Sequence, residues 1–430
     1  MTDNGSETRP VRTLTVKNFS VIKEAKLEFG KITVLIGPQA SGKSLLCKLA
    51  HFLGNEITDI AITHLRNQSS FPTFESTVKN EFSKWFPEGG WGGGVPEIAF
   101  SSWDYQVRIS FLKDKRANLS FAFSGGFRGA YIERLAANIT AEHSPQVNAS
   151  GNLLDSLAML SLRWLSGRGH TDRSVYIPLE RSYFLDTRKG YRVLGGDPDP
   201  ILASFATLFA DSLSSGVDRS RTTKFLKGDI SSEPGGWSFM FKDGRKLPLS
   251  ELSAGSKEML PILSVLDLFE KRLRAPDRDT GTLLGSKVDQ RTYRFDDFVI
   301  EEPEASVFPR TQYDLVREIA ALSNGPHFLP HFAITTHSPY ILSAFNNLIE
   351  AGQAARNNPK LHHDVAKIIP EKYWVKQGDF AAYSIEDGKL KSILNESGFV
   401  EANYLDQVSE VIGDEFDKLL RLEYEHTKAS

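Results

Sequence analysis

The chain has 430 residues, of which 40% are hydrophobic and 24% charged, with a formal net charge of −3 and a pI of about 6.4. This composition supports a globular core of two or three domain-sized units, and it lacks the strong basic excess of a dedicated nucleic-acid binder. The single cysteine, Cys47, cannot form an internal disulfide, no apolar run is long enough to cross a bilayer, and the polar first residues do not resemble a signal peptide. We therefore expect a cytoplasmic protein with no membrane partner.

The first predicted elements are two strands that lead to a third strand and a glycine loop. Leu14–Phe19 and Ala25–Phe29 have the alternation of a hairpin, and Ile32–Ile36 is a continuous apolar run, which is typical of a strand buried on both faces. The glycine loop of residues 37–44 follows, and the apolar spacing of residues 45–53 then predicts a helix. The order is therefore strand, glycine loop, helix.

After residue 57 the pattern changes. The glycine tract Gly89–Gly94 and the alternating segments VRISFL and LSFAF predict an inserted β-rich lobe. Further on, two apolar runs flank a helical segment and form a β-α-β unit, which predicts a parallel sheet. Those three elements are Phe298–Ile300, Arg310–Leu322 and Phe332–Thr335. The other predicted elements are helices over Leu153–Leu165, Asp199–Ser214, Ser256–Arg272 and Glu401–Tyr424, a strand over Ser174–Ile177, and hairpin turns at Asp243-Gly244 and Asp387-Gly388.

These changes in pattern predict five segments. They are a disordered start (1–10), the N-terminal part of a core domain (11–57), an inserted β-rich and helical lobe (58–173), the C-terminal part of the core domain (174–345), and a hairpin and helix extension (346–430).

The glycine loop matches G-x-x-x-x-G-K-[ST], the phosphate-binding P-loop pattern. In such a loop backbone N–H groups and the N-terminal end of the next helix face phosphate oxygens, the lysine adds a positive charge, and the hydroxyl after it can bind Mg²⁺. The candidate phosphate-binding residues are Gly37, Pro38, Gln39, Ala40, Ser41, Gly42, Lys43 and Ser44.

Two acids follow the apolar strand 298–300. Glu301 is a candidate Mg²⁺ ligand, acting through water, and Glu302 is a candidate to orient or deprotonate an attacking water. Acid pairs at strand ends are common, so this pair alone does not establish catalysis.

Two further motifs flank the acid pair in sequence. Ser253 and Gly255, in the segment LSAGS, precede or open a predicted helix, where they suit either an anion or ordinary helix capping. His337 follows the apolar strand 332–335, where it would either contact a γ-phosphate and sense its loss or be an ordinary surface histidine.

The order of these four motifs resembles that of the ABC-type ATPases of the SMC/RecF/OLD branch. Lys17-Asn18-Phe19 is similar to the KNF segment that opens the domain in that branch, Pro309 and Gln312 match the positions after its EEPE motif, and Tyr176–Ser182 is similar to a further motif of these proteins. The resemblance covers residues 14–50 and roughly 249–342. It implies an α/β head, a P-loop NTPase with a mainly parallel core sheet, an antiparallel β subdomain and an inserted lobe. Since no long heptad run is present, we expect no long coiled coil.

The resemblance also implies ATP and Mg²⁺ as ligands and a second copy of the chain as partner. In the family the signature serine and glycine contact the γ-phosphate bound by the other protomer, so Ser253 and Gly255 would act in trans. Two positions depart from the family pattern. Gln39-Ala40 replace the usual asparagine-glycine, and Glu301 replaces the usual aspartate. The Q-loop glutamine is not placed, and Gln68 and Gln106 are the alternatives.

For biological role, the chain resembles the stand-alone ATPase subunits of bacterial anti-phage operons, such as AriA of PARIS systems and PtuA of Septu systems. That resemblance implies a regulatory ATPase, assembled as a dimer or larger oligomer, that senses a phage protein and controls a separately encoded effector such as a TOPRIM nuclease. The alternative is a RecF-like DNA-repair ATPase that clamps DNA on binding ATP. A nuclease within this chain is not expected, because no Asp-x-Asp follows His337.

Several basic residues leave their role open. The stretch from Arg219 to Lys227, with Arg221 and Lys224, either binds an acidic partner such as DNA or forms a solvated surface. Arg181 either holds phosphate charge or forms a structural ion pair.

Overall fold

The structure is a computed structural model. It describes residues 12–102, 105–111, 119–142, 174–186, 199–214, 216–233, 236–274, 297–325, 330–401 and 414–419. The predicted helix over residues 153–165 and the predicted disordered start lie outside the described residues, as does most of the predicted helix over residues 401–424, of which residues 414–419 are helical.

Along the described chain, groups of strands are separated by single helices or groups of helices. The strands are β1 (Arg12–Phe19), β2 (Ile22–Phe29), β3 (Ile32–Ile36), β4 (Glu97–Ser102), β5 (Tyr105–Phe111), β6 (Leu119–Phe123), β7 (Ser174–Ile177), β8 (Gly228–Glu233), β9 (Gly236–Phe241), β10 (Lys246–Pro248), β11 (Asp297–Glu301), β12 (His331–Thr336), β13 (Phe380–Glu386) and β14 (Lys389–Ser392). The α-helices are α1 (Lys43–His51), α2 (Ile57–Arg66), α3 (Phe71–Trp85), α4 (Gly125–Glu142), α5 (Tyr183–Asp186), α6 (Pro200–Ser214), α7 (Ser220–Leu226), α8 (Ala254–Arg274), α9 (Pro309–Ser323), α10 (Pro339–Asn357) and α11 (His362–Ile368).

One large sheet organises the molecule, with the strand order β6-β5-β4-β1-β2-β14-β13-β3-β12-β11-β7. From β13 to β7 the neighbours are parallel, whereas the pairs from β6 to β2 are antiparallel. The predicted fold class, α/β with a mainly parallel core sheet and an antiparallel part, is confirmed. Among the described helices the longest, α8, has 21 residues, so none is long enough for a coiled-coil arm.

The parallel half of the sheet is buried on both faces. Alternate side chains of each strand enter two different apolar clusters, as Val34 and Leu35 of β3 show. Helices α6, α8, α9 and α10 cover one face. On the other face α1 contacts β11 and β12, and the same apolar cluster continues through α2 and α3 to the antiparallel strands. This layering explains why the core strands read as continuous apolar runs instead of alternating patterns.

The structure differs from the sequence-based description in two places. Residues 57–85, where a β-rich lobe was expected to begin, form α2 and α3, and the strands beyond them extend the antiparallel sheet, since β4 pairs with β1. The tail hairpin also joins the main sheet, because β13 pairs in parallel with β3 from Phe380↔Ile32 to Ser384↔Ile36. Long-range strand pairing of this kind leaves no local signal in the sequence.

Candidate functional site

Three of the four sequence motifs meet at one edge of the parallel sheet. In register, Ile36 at the end of β3 lies beside Thr336 at the end of β12, and Glu301 at the end of β11 lies beside Thr335. Because these strands are parallel, the P-loop, the acid pair and His337 all follow strand ends on the same side of the sheet. The carboxyl ends of parallel strands are the usual location of ligand sites in α/β proteins.

The P-loop turns sharply between β3 and α1. Gly42 has a φ of 105°, and a Cβ on Gly42 would lie 2.5 Å from Cδ1 of Ile22. A Cβ on Gly37 would lie 2.7 Å from the carbonyl oxygen of Ile385, in the tail hairpin. Ala40 has a φ of 57°, where a non-glycine residue costs about 1–2 kcal/mol. Ala40 therefore carries backbone strain that the glycine usual at this position would relieve.

Lys43 is 5% exposed and turns back onto its own loop. Its Nζ donates to the carbonyl oxygens of Gly37 (2.8 Å) and Pro38 (2.9 Å), and lies 3.0 Å from Nε2 of His337. Burial lowers the pKa of Lys43, while the nearby carboxylates of Glu302 and Glu304 oppose that effect. The ammonium is thus positioned inside the loop, next to His337.

The second acid and the histidine are in contact. Oε1 of Glu302 lies 3.2 Å from Nε2 of His337. The backbone of Glu302 has a φ of 39°, and its N–H donates to the carbonyl oxygen of Thr335 at 2.9 Å. His337 is fixed in turn, because its backbone N–H and the hydroxyl of Thr336 both donate to Oε1 of Glu304. The structure therefore brings Lys43, Glu302 and His337 together.

Glu304 was not singled out by role in the sequence, yet it holds the residue that follows β12. Its position in EEPE was the available signal, but its partners, 32 and 33 residues away along the chain, were not apparent from sequence. The side chain of Gln312 joins the segment after the acid pair to the segment after β12. Its Nε2 donates to the carbonyl oxygen of Val307, and its Oε1 accepts from the hydroxyl of Ser338 at 2.6 Å.

Glu301 is 4% exposed and lies at the end of β11. Its carboxylate accepts from the hydroxyl of Tyr176 at 2.7 Å and from the backbone N–H of Leu179 at 3.1 Å. Burial, with the Glu301 carboxylate next, raises the pKa of Tyr176 well above its ordinary value. Tyr176 is thus a fixed donor, and the YIPLERS segment supports the candidate Mg²⁺ ligand.

Arg181, the other notable residue of that segment, does not point into the phosphate loop. It is completely buried, and it contacts backbone carbonyls and the carboxylate of Glu258. Of the two alternatives left open by the sequence, the structural ion pair is the one observed.

The LSAGS segment opens α8 at the protein surface. Ser253 is exposed, and its Oγ accepts from the N–H of Ser256 at 3.3 Å, so it caps the helix. A Cβ on Gly255 would lie 2.7 Å from the carbonyl oxygen of Ser306, so glycine allows α8 to pack against the segment after the acid pair. No phosphate contact from the same chain is needed to explain either residue, and the exposure of Ser253 leaves room for a role toward another molecule.

The remaining sequence candidates lie away from this cluster. Gln106 is an exposed residue of β5, six strands from β3, which is about 29 Å at roughly 4.8 Å per strand. Gln68 follows α2 in a left-handed conformation. Arg221 is 8% exposed and pairs with Asp267, Glu270 and Glu318. It therefore forms a buried ion-pair cluster, which is neither a solvated surface nor a site for an acidic partner.

The residues at the loop fit a bound nucleotide phosphate. Oγ of Ser41 is buried with no hydrogen-bond partner, and a phosphate oxygen would supply one. Helix α1 begins with no side-chain cap and no acid in its first turn, so its N-terminal N–H groups are free of a competing anion. Ser44 and Glu301 provide the hydroxyl and carboxylate oxygens that Mg²⁺ prefers.

The strand order, the P-loop and the clustered lysine, acid and histidine define a P-loop nucleotide-binding protein of the ATPase class. A family model described as AAA ATPase domain matches residues 201–342. That range contains Ser253, Gly255, the acid pair and His337 but not the P-loop, so the match and the loop support an ATPase through different parts of the chain.

Solved structures similar to this chain include heads of SMC proteins. One is the SMC head domain from Thermotoga maritima, with 13% identity, a TM-score of 0.37, and coverage of 90% of this chain and 99% of that chain. Another is the SmcHead bound to the C-winged helix domain of ScpA, with 12% identity, a TM-score of 0.41, and coverage of 89% and 96%. A third is a Smc head domain with an extended coiled coil from Pyrococcus furiosus, with 11% identity, a TM-score of 0.37, and coverage of 89% and 95%.

TM-scores of 0.37 to 0.41 mark a weak overall similarity, and the fold class follows from the strand order of the sheet. A search of curated proteins finds no significant match. None of the described helices is both long and apolar enough to span a bilayer.

Proposed function

We propose that this protein hydrolyses ATP to ADP and phosphate at a site completed by a second copy of the chain. The observation that carries the proposal is the convergence of Lys43, Glu302 and His337, with Nζ–Nε2 and Nε2–Oε1 separations of 3.0 and 3.2 Å, beside an uncapped helix N-terminus. A cation, a candidate base and a histidine at a phosphate loop suit phosphoryl transfer to water.

In this proposal the residues of Gly37–Ser44 bind the phosphates, and Lys43 exchanges its loop carbonyls for phosphate oxygens. Mg²⁺, when bound, neutralises phosphate charge, and Ser44 and Glu301 would hold it, with Glu301 acting through water. Glu302 orients the attacking water and accepts its proton as the water oxygen bonds to the γ-phosphorus and the bond from that phosphorus to the ADP oxygen breaks. His337 senses the γ-phosphate, because it already contacts both Lys43 and Glu302.

The second copy enters through Ser253 and Gly255. Ser253 is exposed at the start of α8, so this segment is accessible to another protomer. By resemblance to ABC-type ATPases, the segment would contact the γ-phosphate held by the partner's P-loop. Ser253 lies directly before the N-terminal end of α8, and the partial positive charge of a helix N-terminus favours an anion.

Mixing two inactive variants tests the composite site. Lys43→Ala removes the phosphate lysine, and Ser253→Arg blocks the signature segment, so each homodimer has no complete site. A mixed dimer has one complete site, formed by the P-loop of the Ser253→Arg chain and the signature of the Lys43→Ala chain. We expect ATP turnover to reappear on mixing and to depend on protein concentration. Two separately inactive variants that stay inactive when mixed, although they still associate, would contradict the shared site.

For the biological role, we propose a regulatory subunit of an anti-phage complex that controls a separately encoded effector, such as a TOPRIM nuclease. The support is the resemblance to AriA- and PtuA-type subunits. Two observations would test the role. The first is a neighbouring gene for such a nuclease. The second is that phage infection releases or activates that nuclease only when Lys43 is intact.

The alternative, a RecF-like ATPase that clamps DNA, requires an accessible basic surface. In the stretch that suggested one, Arg221 and Lys224 pair with Glu318, and Arg219 pairs with Asp229. These ion pairs favour the first role. Turnover stimulated by DNA alone, without an effector protein, would favour the alternative instead.

A further inference from the structure

Arg181 joins three separate segments of the chain. Its Nη1 donates to the carbonyl oxygens of Pro178 (3.1 Å) and Glu301 (2.6 Å), and its Nη2 donates to the carbonyl oxygen of Glu302 (2.9 Å). Its Nε donates to the carbonyl oxygen of Glu258 (3.1 Å), and Nη2 lies 3.0 Å from the carboxylate of the same glutamate. Arg181 is completely buried, so this arrangement is not a solvated surface pair.

On one side Arg181 fixes the backbone of the acid pair. Glu302 has a φ of 39°, a left-handed conformation that is unfavourable for a side chain with a Cβ. The bonds from Arg181 to the carbonyls of Glu301 and Glu302, together with the bond from Glu302 N–H to Thr335, hold that turn on both sides. The direction of the Glu302 carboxylate toward His337 depends on this backbone conformation.

On the other side Arg181 holds α8, the helix that begins directly after Ser253. Glu258 lies on α8, five residues after Ser253, which is about 7.5 Å along the helix axis at 1.5 Å per residue. Over that length a helix moves as one body, so a shift at Glu258 also displaces Ser253. Gly255 adds a second contact, because α8 packs against the carbonyl oxygen of Ser306 in the segment after the acids.

A guanidinium is the group best suited to this position. Its planar fork reaches several acceptors at once, and it stays charged when buried, whereas a lysine offers a single point charge. Burial lowers the pKa of Arg181, and Glu258, Glu304, Glu301 and Glu302 oppose the effect in that order.

We propose that Arg181 is a positioning residue that couples the Glu301–Glu302 acid pair to the signature segment of the same chain through Glu258. The inference rests on the proposed function. In a dimer, the acids of one chain serve its own ATP and its signature serves the partner's ATP, so Arg181 would link the two composite sites. Hydrolysis or phosphate loss at one site would then alter the signature presented to the other.

The variant that isolates this link is Glu258→Gln. It retains the backbone carbonyl that accepts from Nε and the size of the side chain, but it removes the carboxylate 3.0 Å from Nη2. Asp267→Asn is the matched control, because Asp267 lies on the same helix and pairs with a different buried arginine, Arg221. We expect Glu258→Gln to lower kcat about tenfold with KM for ATP within about twofold, Glu258→Asp to recover part of the loss, and Asp267→Asn to keep kcat within about twofold.

The mixed dimer with one complete site tests the coupling itself. Glu258→Gln is added either to the Ser253→Arg chain, which provides the working P-loop and acids, or to the Lys43→Ala chain, which provides the working signature segment. If Arg181 supports only the acids, turnover falls only when Glu258→Gln is in the Ser253→Arg chain. If it supports only the signature segment, turnover falls only when Glu258→Gln is in the Lys43→Ala chain. The proposal expects a loss from either position.

Three results would each overturn the inference. In the mixed dimer, Glu258→Gln could lower turnover in only one of the two chains. In the homodimer, Glu258→Gln could have the kcat of Asp267→Asn, or its KM for ATP could rise about tenfold together with the fall in kcat. Failure of the proposed function is distinct, because the unmodified chain would then show no concentration-dependent turnover, and the inference would fall with it.

Discussion

Nζ of Lys43 lies 3.0 Å from Nε2 of His337, in a structure where the same ammonium also donates to the carbonyl oxygens of Gly37 and Pro38. When Nε2 of His337 is the acceptor, these three partners use all three N–H donors of the lysine. A phosphate oxygen entering the loop must therefore replace at least one of them. If it replaces His337, Nε2 can bind a proton and donate to the carboxylate of Glu302, 3.2 Å away, so nucleotide binding and the state of the candidate base are linked through His337.

Replacing Lys43 with alanine should abolish nucleotide binding. The variant loses the cation that faces the phosphates, while the loop keeps its glycines. ATP at 100 times its Kd stabilises a protein by about 2.7 kcal/mol. We expect that stabilisation, measured by thermal unfolding with and without Mg-ATP, in the parent chain and in Lys48→Ala, a control on the same helix. A Lys43→Ala chain that ATP stabilised as strongly as the parent would remove the lysine from the site.

Glu302→Gln should separate binding from hydrolysis. The amide keeps the shape of the side chain but cannot accept a proton, and loss of a general base typically lowers a rate by about 10²–10⁴-fold. Because ATP would bind and persist, we expect an ATP-dependent dimer to accumulate, which size-exclusion chromatography with light scattering would detect. Glu97→Gln, at an exposed position of β4, is the control. Turnover at the parental rate in Glu302→Gln would exclude Glu302 as the general base.

The sequence predicted the local parts of this site and missed the long-range ones. The P-loop is eight contiguous residues between an apolar strand and a helix, so both its pattern and its context are visible in the chain. The contacts that hold the acids are different, since Tyr176 reaches Glu301 across 125 positions and Arg181 reaches it across 120. In the sequence YIPLERS is marked only by resemblance, because its contacts with the acids depend on β7 pairing with β11.

The strands show the same difference between local signals, which the sequence contains, and long-range pairing, which it does not. Apolar runs predicted β3, β11 and β12, because burial on both faces shows in the sequence itself. Insertion of β13 next to β3 was not predicted, because pairing across more than 340 residues depends on how the whole sheet assembles. That pairing also places Ile385 against Gly37, which gives the first P-loop glycine a packing reason besides phosphate binding.

Gly42→Ala should destabilise the protein and weaken nucleotide binding. Gly42 has a φ of 105°, and the new methyl group would meet Cδ1 of Ile22 at 2.5 Å and Cγ2 of Val21 at 3.0 Å. The side chains can shift, but the backbone conformation stays unfavourable, so we expect a loss of about 1–3 kcal/mol in the free energy of unfolding. Gly89→Ala is the matched control, because a Cβ there has nothing within 4 Å. Equal urea midpoints for the two variants would show that the loop relaxes freely.

Asp267→Asn should change how stability depends on pH. Burial raises the pKa of Asp267 from 3.8 to about 6, even though Arg221 and the N–H of Thr222 favour its charged form. The folded state therefore binds a proton more tightly than the unfolded state. This contribution to stability is fully present below pH 3.8 and is lost as the pH rises through about 6.

A difference of this size corresponds to about 3 kcal/mol across that window. Urea unfolding of the parent between pH 4 and pH 7 should show the decline, and Asp267→Asn, which has no proton to lose, should lack that part of it. Since Glu270 and Glu318 also face Arg221, they remain to pair with it in the variant. Parallel pH profiles for the two proteins would mean that Asp267 is charged throughout the window, and that its ion pair with Arg221 outweighs the cost of burial.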